Sequence, residues 1–162
     1  MMTPIANENI IQKETFVVTS ADDLRSLIGL IHDEYFDLDD VSFLKDQGLV
    51  TIPYRRIFHG HLSRMIRNWL IFRTYEVDVI RSVLTIRNVE EYTFDDRSHV
   101  GTYSFNTVSH DKGALLIKCC EDLDLRIVVS AIEIESRDLE IRGKARITHG
   151  LLWSTTISKV YD

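Results

Sequence analysis

The chain has 162 residues, of which 44% are apolar and 27% charged, a composition typical of a globular domain. Its 19 basic and 25 acidic residues give a net charge of -6, which disfavours non-specific nucleic-acid binding because phosphate contacts need excess positive charge. The sequence has neither a run of about 18 apolar residues nor a basic leader followed by an apolar stretch. We therefore expect no membrane association and no secretory signal.

The N-terminal third predicts a short strand followed by an amphipathic helix. Residues 1–13 are expected to be a flexible lead-in, and residues 14–162 a single α+β domain. The β-branched run at 15–18 favours a first strand. Ser20 is a candidate N-cap for a helix over 21–34, with acids in its first turn where the helix dipole favours them. The helix should pack one apolar stripe on the sheet, formed by Leu24, Leu27, Ile28, Ile31 and Tyr35.

After the helix, the hydrophobic period changes from 3.6 to 2, which predicts antiparallel strands. Residues 41–52 form a candidate hairpin in which Gly48 can adopt a positive φ. Strand, turn and strand then alternate without intervening helices, as in a β-meander. We expect a mainly antiparallel sheet, or a small β-sandwich, of about seven to nine strands with the N-terminal helix packed on it. The further strand-like runs lie at 76–93, 101–108, 114–117, 125–135 and 151–157.

Residues 59–75 are ambiguous and are interpreted as an insertion between two hairpin-like strands. Apolar residues within 62–70 recur at i, i+3, i+4, i+7 and i+8, which fits a helix, whereas 69–72 also resembles a strand. A short helix or a structured loop is the preferred interpretation. Long insertions in compact domains often carry function.

Charge is unevenly distributed along the chain. Residues 1–48 are strongly acidic, whereas residues 55–87 contain seven arginines and no lysine. The two blocks could screen each other within the fold or across a dimer, and this is the preferred explanation. Alternatively, an anionic partner could dock on the arginines, because guanidinium groups match carboxylate and phosphate geometry. The candidate partner-binding residues are Arg55, Arg56, Arg64, Arg67 and Arg73.

A metal site is the alternative hypothesis, and it rests on His59 and His61. Two histidines at i and i+2 of an extended segment point the same way and can share a metal ion. A remote carboxylate or histidine would have to complete the site, with the metal activating a water for hydrolysis. Surface histidines beside a glycine turn explain the pattern more simply. Candidate third ligands are His32, Asp33, Glu34 and His149.

Two other polar segments fit turns better than active sites. The acids at 37–40 lack the turn glycine and closing glutamate of a calcium loop. The segment 95–99 places acid, hydroxyl and imidazole close in sequence, but a catalytic triad is defined by geometry. Nucleophile-elbow, phosphate-loop, dinucleotide-binding and zinc-protease motifs are absent from the sequence.

The two cysteines, Cys119 and Cys120, are adjacent, so on a strand their thiols would point to opposite faces. One core thiol and one outer thiol in a reducing compartment, most simply the cytoplasm, are expected. Taken together, the sequence favours a non-catalytic binding or assembly module that uses the arginine-rich segment 55–73. A protein partner or self-association is preferred over nucleic acid, and no cofactor is expected.

Overall fold

Strands dominate this computed structural model, which describes residues 13–58, 64–69, 72–150 and 156–161. The described residues form twelve strands and one α-helix, and every strand pairing is antiparallel. The prediction of a mainly antiparallel sheet with one helix is confirmed, but seven to nine strands were too few. The elements are β1 (Thr15–Val18), α1 (Leu24–Ile31), β2 (Tyr35–Asp37), β3 (Ser42–Leu44), β4 (Leu49–Phe58), β5 (Arg64–Trp69), β6 (Phe72–Ile86), β7 (Val89–Asp96), β8 (Thr102–Asp111), β9 (Ala114–Cys119), β10 (Leu123–Val129), β11 (Ile134–Gly150) and β12 (Thr156–Tyr161).

Two long strands form the spine of the sheet. Strand β6 has 15 residues and β11 has 17, and they pair along their whole lengths. At roughly 3.3 Å per residue, each spans about 50 Å. On its other edge β6 pairs with β4 at one end and with β5 at the other. In the same way the other edge of β11 pairs with β1 at one end and with β12 at the other. The spine is therefore four strands wide at both ends.

The remaining strands continue the sheet from β4 and enclose the main core. Beyond β4 the order is β2, β8, β9, β10 and β7. One buried cluster contains residues of α1, β4 and β6 together with residues of β8, β9 and β10, so the two halves share a core. Aromatic rings lie at its centre: the Phe105 ring is 4.7 Å from that of Phe36 and 5.7 Å from that of Tyr54.

The helix covers this core, but it is shorter than predicted. It begins at Leu24 rather than Ala21, because the Ser20 hydroxyl donates to the Asp23 carboxylate (2.7 Å) and does not cap the backbone. Asp33, with φ of 64°, turns the chain away and donates its N–H to the Phe105 carbonyl. Leu24, Leu27 and Ile31 are buried, while Ile28 is half-buried and Tyr35 belongs to β2. No helix among the described residues has the length and apolar character required to cross a bilayer.

The buried face of β6 changes along its length. Ile80, Ser82, Leu84 and Ile86 are buried at one end, and Val77 and Val79 at the other. Strand β6 pairs with β4 without a register shift, and successive side chains of a strand point to opposite faces. The sheet therefore buries one face along residues 80–86 of β6 and the opposite face along residues 77–79.

We call the part built around the larger cluster the core, and the part around the smaller cluster the arm. The arm comprises β5, residues 72–79 of β6, residues 143–150 of β11, and β12. Among the side chains of the arm that the structure describes, Val77, Val79, Ala145 and Ile147 are buried, with Ile57 and Tyr75 packed against them. Strand β11 has two register shifts between the two parts, one between Asp138 and Glu140 and one between Ile141 and Gly143.

The predicted helix or structured loop in the insertion was wrong for residues Arg64–Trp69, which form β5. This strand pairs with β6, with Trp69 opposite Phe72, and continues the line of β4 along the sheet. Short apolar runs fit both helix and strand spacing, and here the backbone hydrogen bonds of β6 determine the outcome. The rest of 59–71 lies outside the described residues.

Candidate binding surface

The predicted arginines divide between two faces of the sheet. Arg55 and Arg56 are neighbours on β4, so their side chains point in opposite directions. Arg55 stays on the outer face, where its Nη2 lies 3.3 Å from Asp37 Oδ2. It stands directly opposite Arg81, whose Nη1 lies 3.8 Å from Glu140 Oε1. Each half-buried arginine of this pair thus has a carboxylate beside it, which offsets the repulsion between like charges on adjacent strands.

Arg56 is not a surface residue, which corrects its place among the partner-binding candidates. Its side chain is only 12% exposed because even-numbered positions of β4, such as Tyr54, face the interior. Its Nη2 lies 2.5 Å from Asp138 Oδ2 and 3.4 Å from Glu14 Oε2. The Nε atom is buried without a hydrogen-bond partner among the described residues. Arg56 is therefore an internal ion-pair partner.

Asp138, itself buried, is the centre of a polar cluster, which we call the joint because it lies where the buried face changes. Its Oδ1 accepts a hydrogen bond from the Ser82 hydroxyl (2.7 Å), and its Oδ2 accepts one from the Glu14 N–H (3.1 Å) as well as from Arg56. Tyr54 Oη and Ser136 Oγ share another bond of 2.7 Å nearby. The joint comprises Glu14, Tyr54, Arg56, Ser82, Ser136 and Asp138, and it links the residue before β1 to β4, β6 and β11.

Glu34 sits beside the joint and was considered from the sequence only as a metal ligand. It immediately precedes β2, and its Oε2 accepts the backbone N–H of Ile57 at 3.1 Å. Burial raises the pKa of Glu34 from 4.5 to about 8, against the opposing effects of that hydrogen bond and the positive charge of Arg56. No local pattern in the sequence marks this carboxyl, because Ile57 and Arg56 reach it only through the pairing of β2 with β4.

The arginines of the arm lie on or beside an edge strand. Arg64 and Arg67 belong to β5, where their backbones pair with Glu76 and Thr74. Arg73 of β6 is exposed and stands opposite the exposed Asn68. Met65 is 51% exposed. Within the described part of the chain β5 pairs with β6 alone, so its other edge presents backbone N–H and C=O groups that no described strand uses.

The predicted metal pair, His59 and His61, lies outside the described residues. No group of three histidine, cysteine, aspartate or glutamate side chains among the described residues could hold a metal ion. The suggested third ligands make other contacts: His32 Nδ1 lies 3.1 Å from Asp33 Oδ2, and the His149 ring packs 5.7 Å from that of Tyr75. The metal hypothesis therefore stays a prediction from sequence.

The acidic segment at 37–40 forms part of a turn joined to the sheet. Asp37 accepts hydrogen bonds from Arg55 (3.3 Å) and from the Thr102 hydroxyl (2.5 Å). Residues Leu38–Asp40 form one turn of 3-10 helix. These contacts match the interpretation of the segment as a loop between elements.

The segment 95–99 is a hydrogen-bonded turn between β7 and β8. The Ser98 hydroxyl donates to the Glu121 carbonyl (2.5 Å), and Asp96 accepts from Tyr103 Oη (2.6 Å) and the His99 N–H (2.9 Å). The Tyr103 bond holds the pKa of Asp96 below its usual value. Because the hydroxyl is already a donor to the backbone, the arrangement is that of a turn rather than of an activated nucleophile.

The two adjacent thiols separate as predicted. Cys119 is buried, Cys120 is exposed, and both are free. Burial raises the pKa of Cys119 to about 12, so this thiol stays protonated and inert. Its role is to fill the core.

Comparison of this chain with known protein families, with curated proteins and with solved structures finds no match. The function is therefore inferred from the described residues alone. The joint and the turn at 95–99 contain polar groups that mostly bond to one another. The edge of β5, in contrast, combines exposed side chains with backbone groups that no described strand uses.

Proposed function

We propose that this protein is a non-catalytic binding module that receives an extended, acidic segment of a protein partner along the outer edge of β5. The observation that carries the proposal is the edge itself. A strand edge with unused N–H and C=O groups is a template on which a further strand can pair. The six residues of β5 offer about 20 Å of such an edge.

The charge of the strand supports an acidic partner. Strand β5 contains Arg64 and Arg67 and no acid, and the exposed Arg73 stands next to it on β6. Arginine binds carboxylates through paired N–H donors, which favours glutamate and aspartate side chains on the incoming strand. The net charge of -6 argues against nucleic acid as the partner.

The polar clusters elsewhere also favour a binding role over a catalytic one, because their polar groups are hydrogen-bonded within the fold. Asp138 bonds to Arg56 and Ser82, and Ser98 bonds to the Glu121 carbonyl, so these groups serve the fold. The two free cysteines support a reducing compartment, for which the cytoplasm is the proposed location.

The proposal is tested with a fluorescently labelled eight-residue peptide of alternating glutamate and threonine. We expect it to bind the full chain, and the double variant R64E/R67E to bind about tenfold or more weakly, because two attractive pairs become repulsive. The variant R25E/K45E carries the same change in charge at two exposed positions away from the arm, and it should bind as tightly as the original chain.

A second peptide separates strand pairing from simple charge attraction. The same glutamate–threonine sequence with every backbone nitrogen methylated has the same charge but no N–H to donate to a ladder, so it should bind much more weakly. Equal binding of both peptides, or equal binding by R64E/R67E and R25E/K45E, would contradict pairing at the edge of β5.

A further inference from the structure

A second edge lies at the other end of the sheet. The order of strands that leads from β4 through β2, β8, β9 and β10 ends at β7. The N–H of Val89 donates to the Gly48 carbonyl (2.9 Å), but beyond this first residue β7 pairs, among the described residues, with β10 alone. Beyond Val89, therefore, no described strand pairs with the other edge of β7.

This edge is acidic. Strand β7 reads Val-Glu-Glu-Tyr-Thr-Phe-Asp-Asp and contains four acids and no base. Asp95 and Asp96 are already engaged, since Asp95 Oδ2 lies 2.6 Å from Arg97 Nη1 and Asp96 accepts the Tyr103 hydroxyl. Glu90 and Glu91 are exposed, and the contact of Glu91 with Arg126 is long, at 4.0 Å. These two glutamates remain to meet an incoming positive charge.

Each edge also exposes a large apolar side chain. Phe94 of β7 is 54% exposed and Met65 of β5 is 51% exposed. The Phe94 ring lies 6.0 Å from the half-buried Tyr92 ring, which supports it at the surface. Thus β5 is basic and β7 acidic, and each combines an edge that no described strand covers with an exposed apolar side chain.

We infer that the acidic strand received by β5 is β7 of a second copy of this chain, so that copies join head to tail. The inference rests on the proposed function, because it names the partner of the same edge. Pairing of β5 with β5, or of β7 with β7, would place like charges across the new ladder, which destabilises it. A contact between two different surfaces is heterologous, and it extends into a chain of copies or closes into a ring.

The test is sedimentation velocity of the full-length protein over a range of concentrations. A short strand edge buries little area, so we expect weak association. The average mass should rise as the protein concentration is increased from about 1 µM to about 500 µM. Salt should reverse it, because exposed ion pairs are screened at about 1 M salt. The variants R64E/R67E and E90K/E91K should each remain monomeric.

Mixing these two variants gives the decisive result. In either variant alone, the substituted edge carries charge of the same sign as the edge it would pair with. In an equimolar mixture, a β5–β7 junction between the two different variants again joins opposite charges. Association should therefore return in the mixture, although neither component associates by itself. The control R25E changes an exposed charge on α1, away from both edges, and should associate like the original chain. Near-identical circular dichroism spectra will show that all variants are folded.

The outcomes distinguish this inference from the proposed function. A monomeric original chain that still binds the glutamate–threonine peptide overturns head-to-tail assembly and leaves the β5 edge as a site for another protein. Failure of both assembly and peptide binding overturns both. Association that persists in the single variants, or that does not return in the mixture, shows that copies meet elsewhere and overturns the β5–β7 contact.

Discussion

Strands β6 and β11 pass through both the core and the arm, but the two regions bury different faces of these strands and differ in what surrounds them. In the core, residues such as Leu84 and Ile86 meet a helix and strands from both halves of the sheet. In the arm, the smaller cluster contains four buried residues in the described part of the chain, on β6 and β11 alone. The same ladder of backbone hydrogen bonds thus continues from a large apolar core into a small one.

The difference shows why a charged cluster lies between the two regions. The two apolar clusters lie on opposite faces of the sheet, so at the position where the buried face changes neither cluster covers both faces. Ser82 and Asp138 lie within the core-facing series of positions yet are polar, and they are 0% and 5% exposed. Buried polar groups must bond to one another, and a network of this kind favours one register over its neighbours. We therefore expect the joint to hold the arm in register with the core.

The largest predicted effect comes from shortening the same residue type in each region. Ile52 of the core is 0% exposed and Ile147 of the arm is 1% exposed. Ile52→Ala should lower the free energy of unfolding by about 4 kcal/mol, because the surrounding core cannot collapse into the cavity. Ile147→Ala should lower it by about 2 kcal/mol or less, since fewer buried residues surround it. Urea denaturation measures both.

Hydrogen exchange shows whether the arm opens independently. If it does, Ile147→Ala should accelerate amide exchange in β5 and β12 while leaving the amides of β8 to β10 protected. Equal losses in free energy for the two variants, with uniform exchange, would mean that core and arm form one cooperative unit.

The next largest effect is expected at the joint. Asp138→Asn keeps the shape but leaves the Arg56 guanidinium without its buried counter-charge, and should cost about 3 kcal/mol. The matched control is Lys144→Met, which removes an exposed ion pair on the arm, where Nζ lies 3.2 Å from Glu76 Oε1. That change should cost about 0.5 kcal/mol or less, because exposed pairs contribute little.

A double-mutant cycle isolates the ion pair. Arg56→Met together with Asp138→Asn should be less destabilising than the sum of the single changes, since the double variant contains no unpaired buried charge. Additive losses would show that the pair is not coupled and would contradict its proposed role in the joint.

Local signals in the sequence predicted much of the core. The hairpin at 41–52 was confirmed, with Gly48 at φ of 58°. The predicted alternation of strand and turn was confirmed between β8 and β9, where Lys112 and Gly113 both have positive φ. In both cases a turn residue and the alternation on either side of it belong to one short stretch of chain. Such stretches determine their structure largely by themselves.

The arm and the joint could not be predicted in this way. After Ser136 the alternation weakens because β11 shifts register twice and then buries its opposite face, so no single period describes it. Arg56 and Asp138 are 82 positions apart, and only the pairing of both β4 and β11 with β6 brings them together. Sequence spacing contains no record of that contact, and so Arg56 was grouped with the exposed arginines.

The smallest predicted effect is a pH dependence that arises at the boundary of the two regions. Because the pKa of Glu34 is about 8 in the folded protein and near 4.5 when unfolded, the folded state binds more protons between these values. Stability contributed by protonated Glu34 is therefore complete below pH 4.5 and is lost as the pH rises through 8. The loss should be about 2 kcal/mol, since the carboxylate near Arg56 keeps some contact with solvent. Glu34→Gln keeps an acceptor for the Ile57 N–H but cannot ionise, so its free energy of unfolding should fall less between pH 5 and pH 8.5, as measured by urea denaturation. Identical pH profiles for the two proteins would show that Glu34 is ionised throughout, and that the joint and the end of β2 tolerate its charge.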